Sequence, residues 1–342
     1  MKQLKRKVIT ALGVLIFALA LAACTGNQPA ATPAPATPAP ATPTPATPTP
    51  VTTPDPTPPP ETARTRPETD REGSPLTLPD QINTIVTLGP SNAEILVALG
   101  FSDKIIAVDR FSADVAGLGA GVPRDFGIMD FDAEYITDLM PDIIFASGIA
   151  RGGEAGDPLA PLSDVGITVI HMPSSTSIMG VMDDIRFIAQ VMEASEAGEA
   201  VIADMQAEID AVQAIAAGIT TTRTVYFELS PPPWLVSFGT GTFLHEMLEI
   251  VGAVNIFADQ EGWVSISEEV LLELNPDVIL TSVDFIDDPI AEIMERPGFD
   301  TITAVREEAV FLIDANASNR PSQNIVIALR QIAEAVFPEY FR

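Results

Sequence analysis

Two carboxylates hold the same place in a repeated phrase. Glu134 opens EYITDLMPDIIFAS (Glu134–Ser147), and Glu269 opens EVLLELNPDVILTS (Glu269–Ser282), 135 residues later. Each follows a helix-capping residue by two positions, Asp132 and Ser267. Each is therefore expected in a first helical turn, where the helix dipole favours an anion. A catalytic carboxylate pair must have its two groups close together, whereas matching places in two repeats lie far apart. The apolar neighbours Ile136, Leu139, Leu271, Leu272 and Leu274 can face a core and leave both carboxylates exposed. Exposed charges of this kind steer and orient association.

Other chemistry is sparse. There are two histidines, His171 and His245, too few for a free transition-metal site of the usual His and carboxylate composition. Any metal is therefore expected inside an organic chelate. His171 ends a predicted strand and is a candidate ligand to the metal of such a chelate; His245 falls mid-helix. Gly239-Thr240-Gly241 precedes a helix, but Leu244 stands where a dinucleotide fingerprint needs its third glycine. No Walker sequence, Gly-x-Ser-x-Gly elbow or zinc-protease motif occurs. The residues point to binding rather than catalysis.

Binding candidates are aromatic and cationic. Trp234 follows Pro231-Pro232-Pro233 at a strand exit, and Trp263 lies six residues before Glu269. Phe111, Phe126, Phe238 and Phe285 are further apolar platforms. Arg110, Arg124, Arg151 and Arg320 follow strands or fall in loops, where a guanidinium can take a carboxylate or an amide oxygen. Core packing and surface salt bridges are the plainer roles for these residues.

The elements that would position them alternate. Thr84–Leu88, Ile105–Val108, Ile143–Ala146 and Ile167–His171 read as buried strands. Ser91 to Glu94 reads as a capping box opening a helix from Asn92 to Leu99. From Ser177 to Gly218 the pattern is helical, with Met179, Met182, Ile185, Ile188 and Met192 at helical spacing and Gly198 as a possible interruption. The strand–helix alternation restarts at Thr224. The prediction is an α/β protein of two similar lobes with mainly parallel sheets, residues 76–176 and 220–342. A helical segment, 177–219, joins them, and a ligand cleft lies between.

Residues 1–24 read as an export signal: a basic start, an apolar run from Val8 to Ala20, and Leu21-Ala22-Ala23-Cys24. Residues 25–75 are Pro-Ala-Thr repeats that cannot bury a core. They predict a semi-rigid tether of up to about 3.1 Å per residue. Cys24 is the sole cysteine, so no intrachain disulfide forms. The formal net charge of −29 argues against a nucleic-acid partner, whose phosphates require a basic footprint.

Leu-Ala-Ala-Cys resembles a bacterial lipoprotein box, which implies acylation of Cys24 and a membrane anchor. TLGPSNAEILVALG (Thr87–Gly100), EEVLLELNPDVIL (Glu268–Leu280) and RPGFDTITAVREEAVFLID (Arg296–Asp314) resemble motifs of the cobalamin- and iron-chelate-binding proteins of ABC importers. The resemblance spans about residues 80–340 and implies two Rossmann-like lobes joined by a long helix. It implies cargo that is cobalamin or another corrinoid, a ferric siderophore or haem, with no cofactor of the protein's own. Glu134 and Glu269 match the glutamates with which that family docks onto arginines of its permease. A monomer would then meet a permease dimer with its cytoplasmic ATPase, on the periplasmic side or outer face of the cell membrane. Trp263 matches a tryptophan of the family's cobalamin binders, while Ile128 and Ser147 stand where those have two more. ASNRPSQ places Arg320 at the family's cleft-lining Arg-Pro turn. A ligand sensor for a membrane receptor and an exported enzyme are the alternatives.

Overall fold

The computed structural model describes residues 66–152 and 156–341. The export signal, Cys24 and the tether up to residue 65 lie outside the described residues. The first lobe contains strands β1 (Ile85–Leu88), β2 (Ile105–Val108), β3 (Ile143–Ser147) and β4 (Thr168–Met172). They form one parallel sheet in the order β2-β1-β3-β4. The second lobe contains β5 (Thr224–Glu228), β6 (Val236–Phe238), β7 (Val254–Asn255), β8 (Trp263–Ser265), β9 (Val278–Thr281) and β10 (Val310–Leu312). Its parallel sheet runs β10-β9-β5-β7, and β6 and β8 form a separate antiparallel ribbon. Taken from its other edge, the second sheet repeats the topology of the first: β1 answers to β5, β2 to β7, β3 to β9 and β4 to β10. All residues of β1 and β9 are buried, as expected for parallel strands covered on both faces.

Two layers of helix flank these sheets, built mainly from α1 (Pro90–Ala98), α2 (Ala133–Leu139), α3 (Ile178–Val191), α4 (Ser195–Ala216), α5 (Phe243–Val251), α6 (Glu268–Leu274) and α7 (Ile325–Val336). The repeated phrase is α2–β3 in one lobe and α6–β9 in the other. Both helices end on a left-handed residue, Met140 and Asn275, each at φ 47°. The proline that follows cannot continue the helix. The next residue, aspartate, pins the turn to the start of the central strand. Asp142 Oδ2 accepts from the backbone N–H of Asn83 and Thr84 at 2.7 and 2.9 Å. Asp277 Oδ2 accepts from the N–H and the hydroxyl of Thr224, both at 2.8 Å. In both lobes the aspartate N–H donates back to the threonine Oγ1, at 3.0 and 3.1 Å.

The linking segment is two helices rather than one. The chain turns at Met192–Ala194, with Glu193 at φ 56°. Gly198 lies inside α4, where a Cβ would stand 2.5 Å from the Cβ of Ala189 on α3. It is a close helix contact and not an interruption. Met182, Ile185, Ile188 and Met192 are buried as their spacing requires, whereas Met179 is exposed. The 22-residue α4 joins a core that contains Leu96, Ile185, Met205, Leu248 and Leu329. One helix layer therefore draws on both lobes. Outside it each sheet covers its other face with its own apolar cluster, one around Ile136 and Ile144 and one around Leu271 and Ile279.

Composition groups residues 66–75 with the tether, but they lie against the folded body. Arg66 Nη1 donates to the Pro79 carbonyl at 2.6 Å, and Arg71 Nε to buried Asp184 at 2.8 Å. The helix at β1 also differs from its sequence expectation. It starts at Pro90 with Gly89 as N-cap and no side-chain cap, so Ser91–Glu94 is not a capping box. Gly89 has φ 136°, and a Cβ there would lie 3.0 Å from the Ser147 side chain.

Candidate functional site

The carboxyl ends of parallel strands gather the loops that bind ligands in open α/β sheets. Here they deliver Gly89 from β1, Asp109 to Ser112 from β2, Gly148 to Arg151 from β3, the Pro231–Trp234 loop from β5 and the Ser282–Asp288 loop from β9. Of the predicted binding residues, Trp234, Phe111 and Phe285 fall on these exits, whereas Phe238 and Trp263 lie within strands β6 and β8 and Arg320 follows a short helix. Trp234 is 63% exposed after a cis Pro232–Pro233 bond. Phe111 and Phe285 are half-buried. Trp263 is also half-buried and faces Phe238 across the β6/β8 ribbon. Phe238 itself is fully buried, with its ring 5.5 Å from that of Phe227. It is core and offers no face to a ligand. Phe126 is likewise buried, against Tyr135. Ile128 is half-buried in the first-lobe cluster.

Three of the four predicted arginines are held by carboxylates of the protein. Arg110 pairs with Asp130 at 2.9 Å, and Arg151 pairs with Glu72. Arg124 donates to the Gly119 carbonyl at 3.2 Å. Arg320 does not extend as a free guanidinium: its side chain is 12% exposed and crosses to the other lobe. Nη1 donates to Glu94 Oε1 at 2.9 Å, and Nη2 donates to Asp114 at 2.8 Å and to the Phe111 carbonyl at 2.9 Å. Glu94 also accepts from the Ser322 hydroxyl and, at 3.0 Å, from Asn324 Nδ2. Asn316 Nδ2 reaches Asp114 at 2.8 Å. Burial works against the charge of Arg320, but its hydrogen bonds to Glu94 and Asp114 outweigh this and hold its pKa above the ordinary arginine value. Sequence reasoning missed this knot because its halves lie 226 residues apart. The one local sign was a glutamate on a helix otherwise made of apolar and small residues.

Two buried acids complete the strand exits. Glu228, the last residue of β5, is 1% exposed and takes both Nη groups of Arg296 at 2.7 and 2.8 Å. Burial raises its pKa despite the arginine. Asp109, at the exit of β2, accepts from the N–H of Gly89 and Phe111 and from the Ser112 hydroxyl, at 2.8, 2.9 and 2.7 Å. Its pKa is also raised by burial.

Both histidines are buried. His171 Nε2 lies 2.9 Å from Asp157 Oδ2, and its Nδ1 is buried, so neither nitrogen is presented to a chelated metal. His245 is buried in α5, with Nδ1 3.2 Å from Asn255 Nδ2. Among the described residues no group of three or more His, Cys, Asp or Glu side chains is placed to hold a metal ion.

Glu134 and Glu269 are exposed on the first turns of α2 and α6. Asp132 caps α2 by accepting from the N–H of Glu134 at 3.0 Å. Ser267 makes no such cap; its hydroxyl instead bonds the Glu269 carboxylate and lowers its pKa.

The sequence profile of the periplasmic binding protein family matches residues 85–317. An ABC transporter substrate-binding lipoprotein of Bacillus subtilis (strain 168) is 30% identical over 279 residues, spanning 80% of this chain and 86% of that protein. A cobalamin-binding protein of Halobacterium salinarum is 27% identical over 284 residues, 78% of this chain and 73% of that one. Among solved structures, a possible iron-binding, periplasmic solute-binding protein of Staphylococcus epidermidis is similar with a TM-score of 0.66 and 27% identity. That likeness covers 75% of this chain and 99% of the other.

Proposed function

The chain belongs to the periplasmic binding protein family, whose members serve ABC importers as solute-binding proteins, and from that premise we propose that it captures a metal chelate outside the cytoplasm and delivers it to an ABC permease. The observation that carries this reading is the repeated lobe. Two sheets of identical topology present aromatic loops at their carboxyl ends, and two equivalent helices present exposed Glu134 and Glu269. The aromatic exits at Trp234 and Phe285, with half-buried Trp263 as a further candidate, suit a large cargo with an apolar face, such as a corrinoid, a haem or a ferric siderophore. A two-fold permease offers the same basic site twice, and a pseudo-symmetric protein can meet both copies at once. Acylation of Cys24 would hold the body at the membrane, with the proline-rich tether supplying reach. Among the described residues no helix is long and apolar enough to cross a membrane.

A thermal-shift panel of cyanocobalamin, haem and ferric siderophores tests the cargo. A specific ligand raises the melting temperature by mass action. A panel with no shift at saturating ligand would remove the chelate reading.

A further inference from the structure

Charge at the strand exits narrows the cargo. Four arginines stand on or beside these turns: Arg110 after β2, Arg151 after β3, Arg296 beyond β9 and Arg320 beyond β10. Each is held by carboxylates of the protein: Arg110 by Asp130, Arg151 by Glu72 and Asp70, Arg296 by Glu228 and Glu292, and Arg320 by Glu94 and Asp114. Seven carboxylates thus surround four guanidiniums. Asp109 adds a buried carboxylate whose described hydrogen-bond donors are all neutral, and Asp284 is exposed on the loop that follows β9. Arg124, also on the β2 side, donates to a carbonyl instead of a carboxylate.

A carboxylate-bearing cargo that pairs with any of these four would therefore have to displace an acid already in place. Displacing Glu94 or Glu228 would leave that acid buried without its counter-ion, which is strongly unfavourable. Approach without displacement would place like charges together, with Asp130 and Asp114 exposed towards the incoming anion. A cargo that is neutral or cationic meets neither obstacle, and its apolar face can lie on the aromatic exits.

We propose that the cleft selects metal chelates carrying no net negative charge and discriminates against polyanionic ones. This rests on the reading of the protein as a chelate-binding importer component. Neutral amide-fringed rings and cationic hydroxamate complexes share the favoured chemistry; propionate-bearing haem and ferric polycarboxylates share the disfavoured one.

The test measures affinities of the full-length chain in detergent for four probes: cyanocobalamin (neutral), ferrioxamine B (cationic), haem and ferric citrate. At least one of the first two should bind at least about tenfold more tightly than both of the last two. A preference for cyanocobalamin over ferrioxamine B, or the reverse, identifies which source of the shared chemistry is used. Haem or ferric citrate binding as tightly as the better of the other two would overturn the charge inference while leaving the chelate reading intact. Binding of none of the four would bring down the underlying reading and the inference with it. Asp130→Asn supplies a second measurement, because Asp130 is exposed and its loss frees Arg110. Haem affinity should rise about two- to fivefold in that variant, the range of an exposed ion pair. No rise would show that arginine pairing is not the basis of selection.

Discussion

Thr84 immediately precedes β1 and Thr224 begins β5, the matching central strands of the two lobes, and each is gripped by the aspartate of the repeated phrase. Half of that phrase is therefore structural. Asp277→Ala would strand the N–H and hydroxyl of Thr224, so it should lower stability by about 1–3 kcal/mol in urea unfolding. Asp142 carries a pH signature as well. Backbone donation from Asn83, joined by donors from Thr84, holds its pKa below the ordinary aspartate value. Its contribution is complete above the unfolded carboxylate pKa and is lost as pH falls through the lowered folded value. Asp142→Ala should accordingly flatten the acid limb of the stability–pH curve, and an unchanged limb would contradict the clamp. Trp234 gives the opposite profile. Being 63% exposed, it should tolerate Trp234→Ala within about 0.5 kcal/mol of stability. Its cargo affinity should nevertheless fall by about 1–3 kcal/mol in a fluorescence titration. Unaltered affinity would remove Trp234 from the site.

At the level of elements, the longer parallel strands were legible because they are continuous apolar runs, and the proline-aspartate breaks marked where helices stop. Strands β6, β7 and β8, of two or three residues each, were too short to leave such a signal. The helical segment was legible as apolar and methionine-rich, but its break at Met192–Ala194 was not. Glycine is the residue one expects at an interruption, yet here Gly198 serves a helix contact and Glu193 adopts the left-handed turn. Gly198→Ala decides the point by its sign. Helix propensity alone predicts a gain of roughly 1 kcal/mol, whereas a Cβ 2.5 Å from that of Ala189 should cost about 1–3 kcal/mol by overpacking. A stabilised variant would mean that α3 and α4 have room to part. The helices α2 and α6 carry the docking proposal. Glu134→Lys with Glu269→Lys should leave folding and cargo affinity nearly unchanged, because both residues are exposed first-turn positions. Binding to permease-containing vesicles should drop further than with the paired alanine changes, and the wild-type complex should weaken as salt rises. Normal transport by the double lysine variant would leave these glutamates with a helix-end role only.

For the molecule as a whole, the sequence shows two lobes and a linker but not how tightly the lobes are joined. Periodicity reports which face of an element is buried, not which distant partner covers it. Arg320 fitted a cleft-lining turn by motif, yet its guanidinium is spent on Glu94 and Asp114 across the lobe boundary. Arg320→Met should therefore destabilise the protein by about 3–5 kcal/mol, because it leaves buried Glu94 uncompensated. Adding Glu94→Gln should recover part of that loss, a coupling measurable in a double-mutant cycle of urea unfolding. A small effect of Arg320→Met on stability with a large one on cargo affinity would restore Arg320 to the ligand site. The shared helix layer and this knot together favour modest closure over wide hinge opening. They also govern the order in which the protein can be completed. Glu94 lies in the first helix of the first lobe, but the groups that hold it come from Arg320, Ser322 and Asn324. The core over that helix is shared with α7, which begins at Ile325. While the ribosome is still adding residues, the leading lobe has a glutamate without its counter-ion and an apolar face without its cover. The first lobe therefore cannot complete its packing until Ile325–Val336 has been made, so the two lobes are expected to close together rather than one after the other.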